Sequence, residues 1–347
     1  MKIPRLGRLR QATRRVRNWI APGGLILLYH RIAEVPTDPF NLCVTPHHFA
    51  EHLAVLQELY HPKSLQQVVQ TIHAGKQPNR AVAVTFDDGY ADNFWNAKPL
   101  LERYEVPATV FVTTGHLEQK REFWWDDLDR LLLQPGRLPN CLDLNIDGKA
   151  YHWELGEASD YNDTDYQRHH TWNWYVPEQA DPGPRQRLYR ALYGLLSPLA
   201  LDHRQTLLDE LVAWAGVTVE GRSTYRSLTP TEVSNIGQGG LIEVGAHTVN
   251  HPFLATLSID SQWQEIQQSK ADLEAWIGRP VRSFAYPHGN YAPQTMDLVR
   301  NAGFAYACST VENRVWQQAN CFQLPRVVVE NCDGETFARW LSNWFQN

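Results

Sequence analysis

The chain has 347 residues, enough for one large α/β core or for a core with a sizeable insertion. Charged residues make up 20% and apolar ones 43%, an ordinary globular mix. The five cysteines (Cys43, Cys141, Cys308, Cys321, Cys332) are odd in number and contain no close pair, which argues against a disulfide framework or a cysteine-based zinc site and favours a reducing compartment. No run approaches the length of a membrane-spanning helix.

The first 18 residues carry seven cations (Lys2, Arg5, Arg8, Arg10, Arg14, Arg15, Arg17) and no acid, so the remainder bears −13 against a total of −6. No apolar h-region follows the Arg14-Arg15 pair, so a cytoplasmic location is the expectation. Leu6, Leu9, Val16, Trp19 and Ile20 interleave with the arginines. Residues 1–23 therefore read either as a basic amphipathic helix on the inner face of an anionic membrane or as a solvated tail on an acidic body. That acidic body argues against nucleic acid as a partner.

In chain order, Gly24 to His30 reads as a first buried strand. Thr45-Pro46 opens a helix in the N-cap and first helical positions, and Ser64 opens a second. The run Ala81-Val-Ala-Val-Thr-Phe86 is a buried parallel strand ending in Asp87, Asp88 and Gly89, with a helix expected over 91–104. Pro107–Thr113 is another strand. From about 116 to 227 this rhythm is interrupted by a mostly helical stretch rich in tryptophan, whose aromatic residues suit either stacking on sugar faces or a private core, core being the expectation. The alternation resumes with a capping box at Thr229 and Glu232, a strand leading to His247, a helix over 260–277, the strand and turn Ser283–Gly289, and strands near 305–309 and 326–330. About seven strands alternating with helices predict parallel βα units, with 24–115 and 228–347 forming one body and 116–227 inserted in it.

In such folds ligands bind at the carboxyl ends of the strands. Asp87 and Asp88 stand at one predicted strand end; His247 and His251, four apart on one helical turn, stand at another. Two imidazoles and one carboxylate form a three-ligand metal set with room for water and substrate, and the remaining carboxylate is free to take a proton. The alternative for the aspartates is a helix cap beside a solvated side chain.

The motifs Thr85-Phe-Asp-Asp-Gly-Tyr90, His247-Thr-x-x-His251-Pro252 and Phe284-Ala-Tyr-Pro287-His-Gly289 resemble those of the polysaccharide deacetylases, carbohydrate esterase family four, over about 24–115 and 228–330. The resemblance implies a distorted (β/α)7-type TIM-like barrel and removal of N-acetyl groups from an amino-sugar glycan or glycolipid precursor. It also implies one divalent ion, in that family often Zn2+, on Asp88, His247 and His251, with Asp87 as general base. Two departures stand out. The family's third-motif arginine is replaced by Ala285, leaving Arg326 as the candidate orienter of Asp87. The late Leu-x-His is replaced by Leu324-Pro-Arg326, so that His30, ending the first strand as in members acting on poly-N-acetylglucosamine, becomes the expected general acid, with His288 as backup. The His288 N–H is the expected oxyanion donor, and Tyr286, Pro287, Tyr90, Trp125 and Arg326 are the expected substrate contacts. The alternatives are hydrolysis of another amide or of an O-acetyl ester, or a catalytically decayed carbohydrate-binding protein.

Overall fold

The computed structural model describes residues 23–346 except Glu118 and Lys120. The expected basic amphipathic segment lies outside the described residues. The chain divides into two compact units, one holding the chain up to Glu34, Cys43–Leu117 and Leu228 onward, the other Val35–Leu42 and Glu118–Ser227. The sequence places Val35–Leu42 with the barrel; the structure groups it with the insertion.

The first unit is built on seven parallel strands: β1 (Leu25–Tyr29), β2 (Ala81–Phe86), β3 (Ala108–Val112), β4 (Ile242–Ala246), β5 (Ser283–Ala285), β6 (Tyr306–Cys308) and β7 (Val327–Val328). Their order across the sheet is β6-β5-β4-β3-β2-β1-β7, with a short strand, His61–Pro62, also pairing with β2. The segment entering β7 bridges back to β6, where Ser309 N–H donates to Leu324 O (2.8 Å) and Leu324 N–H to Ala307 O (2.9 Å), so the curled sheet closes on itself as a distorted barrel. Every residue of β1, β2 and β3 is buried, as strands covered on both faces require.

The helices begin where the sequence signals them. In α1 (Pro46–Leu59) the Thr45 hydroxyl accepts from His48 N–H; α2 (Leu65–His73) and α4 (Pro230–Ile236) open on capping boxes at Ser64/Gln67 and Thr229/Glu232. Helix α5 (Ile259–Ile277) stops at Gly278, φ 66, and α6 (Pro293–Asn301) follows β5. The helix after Gly89 departs from expectation. It starts as a π-turn over Asn93–Ala97, with Lys98 N–H reaching Asn93 O, before becoming α3 (Lys98–Arg103). Pro99, lacking an N–H, removes a bond of the regular ladder and favours this wider register. A further helix, α7 (Gly334–Gln346), packs on α1 and has no counterpart in the sequence reading.

The second unit holds helices Trp124–Leu132, Pro184–Leu196 and Leu201–Ala215 and a hairpin, Cys141–Ile146 with Lys149–Glu154, not foreseen from sequence. Its turn, Asp147-Gly148, has positive φ at both positions (52 and 80), as a two-residue hairpin loop demands. Buried Arg185 ties the unit together by donating to the carbonyls of Leu132, Gln134, Gly136, Ala158 and Ser159. Trp125, expected as a substrate contact, is instead buried in this unit's core, stacked on Phe123 at 4.6 Å and edge-on to Trp124. It has no open face for a sugar.

Candidate active site

Strand β2 runs to Phe86, and Asp87 N–H still donates to Tyr29 O on β1 (3.0 Å). The pleat then breaks. Gly89 N–H donates back to Asp87 O (2.9 Å), closing a γ-turn centred on Asp88 at φ 72. A continuing strand would point adjacent side chains apart; this turn brings both carboxylates to one imidazole. His247 Nε2 lies 3.5 Å from Asp88 Oδ1 and 3.9 Å from Asp87 Oδ2. Gly89, φ 78, is required, since a Cβ there would sit 3.1 Å from Val112 Cγ1 and 3.2 Å from its Cα.

His247 leaves β4 with its N–H on Val112 O and its Nδ1–H donating to Ala285 O (2.9 Å). A carbonyl can only accept, so the Nδ1 tautomer is fixed and Nε2 presents a lone pair. The next residues form a tight loop. Thr248 Oγ1 accepts from His251 N–H (3.0 Å), and Glu265 on α5 accepts from Val249 N–H, Asn250 N–H (both 2.9 Å) and the Asn250 side chain (2.7 Å). On the other side, Thr114 and Gly115 N–H groups donate to the carbonyls of Thr248 and Val249. Of the eight non-glycine residues with positive φ among the described residues, Asp88, Thr248, His251 and His288 all stand here. Backbone strain gathered in this way marks a site whose geometry is imposed by its surroundings.

Asp88, His247 and His251 are buried and offer one ligand atom each within 4.8 Å of one another. Asp88 Oδ1 is 3.5 Å from His247 Nε2 and 3.3 Å from His251 Nε2. The edge of a tetrahedron with ligand bonds of about 2.0–2.1 Å is about 3.3–3.4 Å, so this donor set fits a tetrahedral divalent ion. Burial disfavours the Asp88 carboxylate, but the two imidazoles beside it outweigh burial and hold the group well below its ordinary range. Burial outweighs Asp88 at His251 and lowers that imidazole; at His247 the two aspartates outweigh burial and raise it.

Asp87 is held differently. Arg326, fully buried just before β7, puts both terminal nitrogens on its carboxylate at 2.6 Å, and also donates Nε–H to Ser309 O and a terminal N–H to Thr85 Oγ1. Burial works against the Asp87 carboxylate, yet Arg326 prevails and lowers its pKa. Arg326 is thus a partner of Asp87, and having no exposed surface it corrects the expectation of a substrate contact.

His30, half-buried at the end of β1, lies near enough that its charge bears on both Asp87 and Asp88. Its carbonyl accepts from Asn93 (2.8 Å), and the neighbouring Arg31 is bonded to buried Asp92 (3.0 Å), which also accepts from Ile32 N–H. His288 is stacked on Phe253 (3.9 Å) and lies edge-on to His251 (4.4 Å). Tyr90, Tyr286 and Pro287, expected to meet substrate, are buried: the Arg31 guanidinium covers the Tyr90 ring at 4.6 Å, and the Tyr286 hydroxyl donates to Phe322 O (3.0 Å). They shape the rim from beneath. The sequence reading did not single out Glu265, Asp92 or Asn93. Asp92 and Asn93 follow the Asp-Asp-Gly motif directly, whereas nothing local marks Glu265 on its amphipathic helix.

A parallel barrel carrying a buried Asp-His-His donor set and an arginine-bound second aspartate at its strand ends has the form of a hydrolytic centre. The sequence model for the family described as polysaccharide deacetylase matches residues 74–140 and 206–307, so the chain carries a polysaccharide deacetylase domain. The match runs further into the insertion than the motifs suggest, and it leaves out His30 and Arg326. The chain is 36% identical over 73 residues to poly-beta-1,6-N-acetyl-D-glucosamine N-deacetylase of Staphylococcus aureus, an overlap of 21% of this chain and 22% of that protein. It therefore spans about a fifth of the length of the curated relatives it matches. Among solved structures, IcaB from Ammonifex degensii superposes with a TM-score of 0.57 at 16% identity, covering 94% of this chain and 97% of that one. The Streptococcus pyogenes deacetylase PplD, in complex with acetate, gives 0.55 at 20% identity, covering 91% and 96%. These two likenesses establish the fold.

Proposed function

We propose that this protein is a divalent-metal-dependent hydrolase that removes N-acetyl groups from an amino-sugar glycan. The observation that carries the reading is the pairing of two unlike aspartates on one turn, Asp88 facing two histidines and Asp87 gripped by an arginine. An ion held by Asp88, His247 and His251, Zn2+ being the choice that suits one carboxylate and two imidazoles, would supply Lewis-acid polarisation of the acetamide carbonyl and a more acidic water. Asp87, kept ionised and aimed by Arg326, is the acceptor for the proton of the attacking water. The His288 N–H is the donor assigned to the oxyanion, since a backbone dipole fixed in advance costs no reorganisation as charge develops. His30, across the site at the end of β1, protonates the departing amine. The burial of the centre, with Asp87 and Asp88 at 3% exposure, strengthens each of these interactions.

The test is metal content by elemental analysis together with acetate release from N-acetylglucosamine oligomers, for the wild type and for His247→Ala/His251→Ala. One bound ion that the variant loses, and acetate release that it loses too, are expected. A metal-replete wild type that releases no acetate from any N-acetylated glycan would overturn the reading.

A further inference from the structure

The hairpin of the second unit, Cys141–Ile146 with Lys149–Glu154, sorts its residues by face. Leu142, Leu144 and Ile146 are buried, so the alternation of a strand puts Cys141 and Asp143 on the opposite, outward face. The register sets Glu154 directly across from Cys141 and His152 directly across from Asp143. Residues directly opposite share a face, so four side chains with metal-ligating atoms meet on one outer patch. The Cys141 sulfur, an imidazole nitrogen of His152 and a carboxylate oxygen of Glu154 all lie within 4.8 Å of one another. His152 Nε2 is 3.8 Å from Glu154 Oε1. No two cysteines lie close in the sequence; the partners that a single thiol needs come here from the facing strand.

Two further side chains orient this set. Asp143 accepts from His152 Nδ1–H (2.7 Å), which leaves Nε2, on the side of Glu154, as the free donor nitrogen. Asn140 directs an amide N–H at the Cys141 sulfur (3.7 Å). The backbone beneath is anchored as well: Trp214 Nε1–H donates to Cys141 O (2.7 Å) and Leu155 N–H to Asn140 O (2.8 Å). Exposed ion pairs such as that of His152 and Asp143 contribute little to stability, so stability does not account for the constellation.

We infer that Cys141, His152 and Glu154 hold a second divalent ion, Zn2+, with water in the fourth position. A thiolate and an imidazole disfavour Mg2+ and Ca2+, which take oxygen ligands, and one sulfur, one nitrogen and one oxygen suit tetrahedral zinc. Ligand bonds of about 2.0–2.3 Å give donor-to-donor edges of about 3.3–3.6 Å, so these side chains close on the ion by about 1 Å over a fixed backbone. The thiol releases its proton to solvent as the ion binds. The ion then cross-links the two strands at the end of the hairpin remote from the Asp147-Gly148 turn. Its ligands are half-buried or exposed and must be ordered, whereas Asp88, His247 and His251 are buried, so the hairpin fills second as free zinc rises.

The test is a Co2+ titration of the full chain under a phosphine reductant, because a thiolate on cobalt absorbs in the near ultraviolet and the strand-end set contains no sulfur. His247→Ala/His251→Ala should still develop this band, saturating at one equivalent, and Zn2+ should displace it. Cys141→Ser should abolish the band. His152→Ala and Glu154→Gln should each weaken Zn2+ binding about tenfold or more, and Asp143→Asn about tenfold. These positions are exposed or half-buried, so the variants keep the fold, which circular dichroism checks. No band in the wild type, or a band that His152→Ala and Glu154→Gln leave unchanged, overturns the inference, the latter by marking a thiol that binds metal without its neighbours. Acetate release is not the readout, so failure of the deacetylase reading and failure of this site are distinguished.

Discussion

Arg326 meets Asp87 through two parallel bonds of 2.6 Å, from the residue just before β7, two strands along the chain from the third motif, where Ala285 leaves no side chain to do so. A fully buried guanidinium with a fully buried carboxylate is tolerable only as a pair. Arg326→Ala should therefore cost about 3–5 kcal/mol of stability by leaving the Asp87 charge alone, readable in urea unfolding. Arg326→Lys keeps the charge but loses the fork. In that variant the Asp87 pKa should rise, moving the acid limb of the kcat/KM profile to higher pH, with kcat lowered about tenfold or more. An acid limb that stays in place would show that Arg326 does not set the Asp87 proton affinity.

Glu265 is the second positioning group. It satisfies two backbone N–H groups and one amide in the loop between His247 and His251, and this loop carries two residues at positive φ. Glu265→Ala removes all three hydrogen bonds and should loosen the His251 arm. Affinity for Zn2+, measured by competition with a chromophoric chelator, is expected to fall about 10–100-fold, as for other outer groups that orient ligands. Glu265→Gln retains one acceptor oxygen and should recover part of that loss. Unchanged affinity in both would confine Glu265 to helix packing.

Much of this was legible in the sequence because it is local. Thr45, Ser64 and Thr229 are side-chain signals acting within four residues, and each starts a helix. The apolar runs ending in Asp87 and His247 announce strands by composition alone. What was not legible depends on partners far along the chain. The pairing of Arg326 with Asp87 was legible only as a candidate left open by Ala285, since the two are 239 residues apart and the closure of the barrel is what brings them together. Glu265 reads as one more polar residue on an exposed helix face. Tyr90, Tyr286 and Trp125 look like sugar-stacking residues in one dimension and are packing residues in three. The Asp147-Gly148 turn was available as a signal, since two positive-φ residues between alternating runs mark a hairpin, and the composition around it masked the alternation.

His52, buried on α1, sets a pH limit on the fold. Its Nε2–H donates to Cys332 O (2.7 Å), so Nδ1 accepts from the Tyr29 hydroxyl (3.2 Å), and the ring stacks on Phe337 at 4.0 Å. Protonation would set a second N–H against Tyr29. Burial dominates and pushes the pKa down to about 4 from an ordinary 6.5. The unfolded chain thus takes up this proton first as the pH falls. Stability supplied by neutral His52 is complete above about 6.5 and is lost progressively toward 4, by about 3 kcal/mol in all. Urea unfolding of wild type and His52→Phe across pH 7 to 4 should show the wild type falling more steeply by that amount. Parallel curves would place the acid sensitivity elsewhere.

The proton donor to the leaving amine is decided between His30 and His288. His30 comes from β1, beside β2, and its electrostatic reach covers both aspartates; its backbone is fixed by Asn93 and, through Arg31, by Asp92. His288 is locked flat against Phe253 and edge-on to His251, an arrangement suited to holding a backbone N–H in place more than to moving a proton. His30→Asn should lower kcat by about 10²–10⁴ with metal content unchanged, read by acetate release beside elemental analysis. His288→Ala keeps its N–H and should stay within about tenfold of wild type. The opposite pattern, a large loss of kcat in His288→Ala and a near wild-type kcat in His30→Asn, would transfer the acid to the third motif and leave His30 a rim residue.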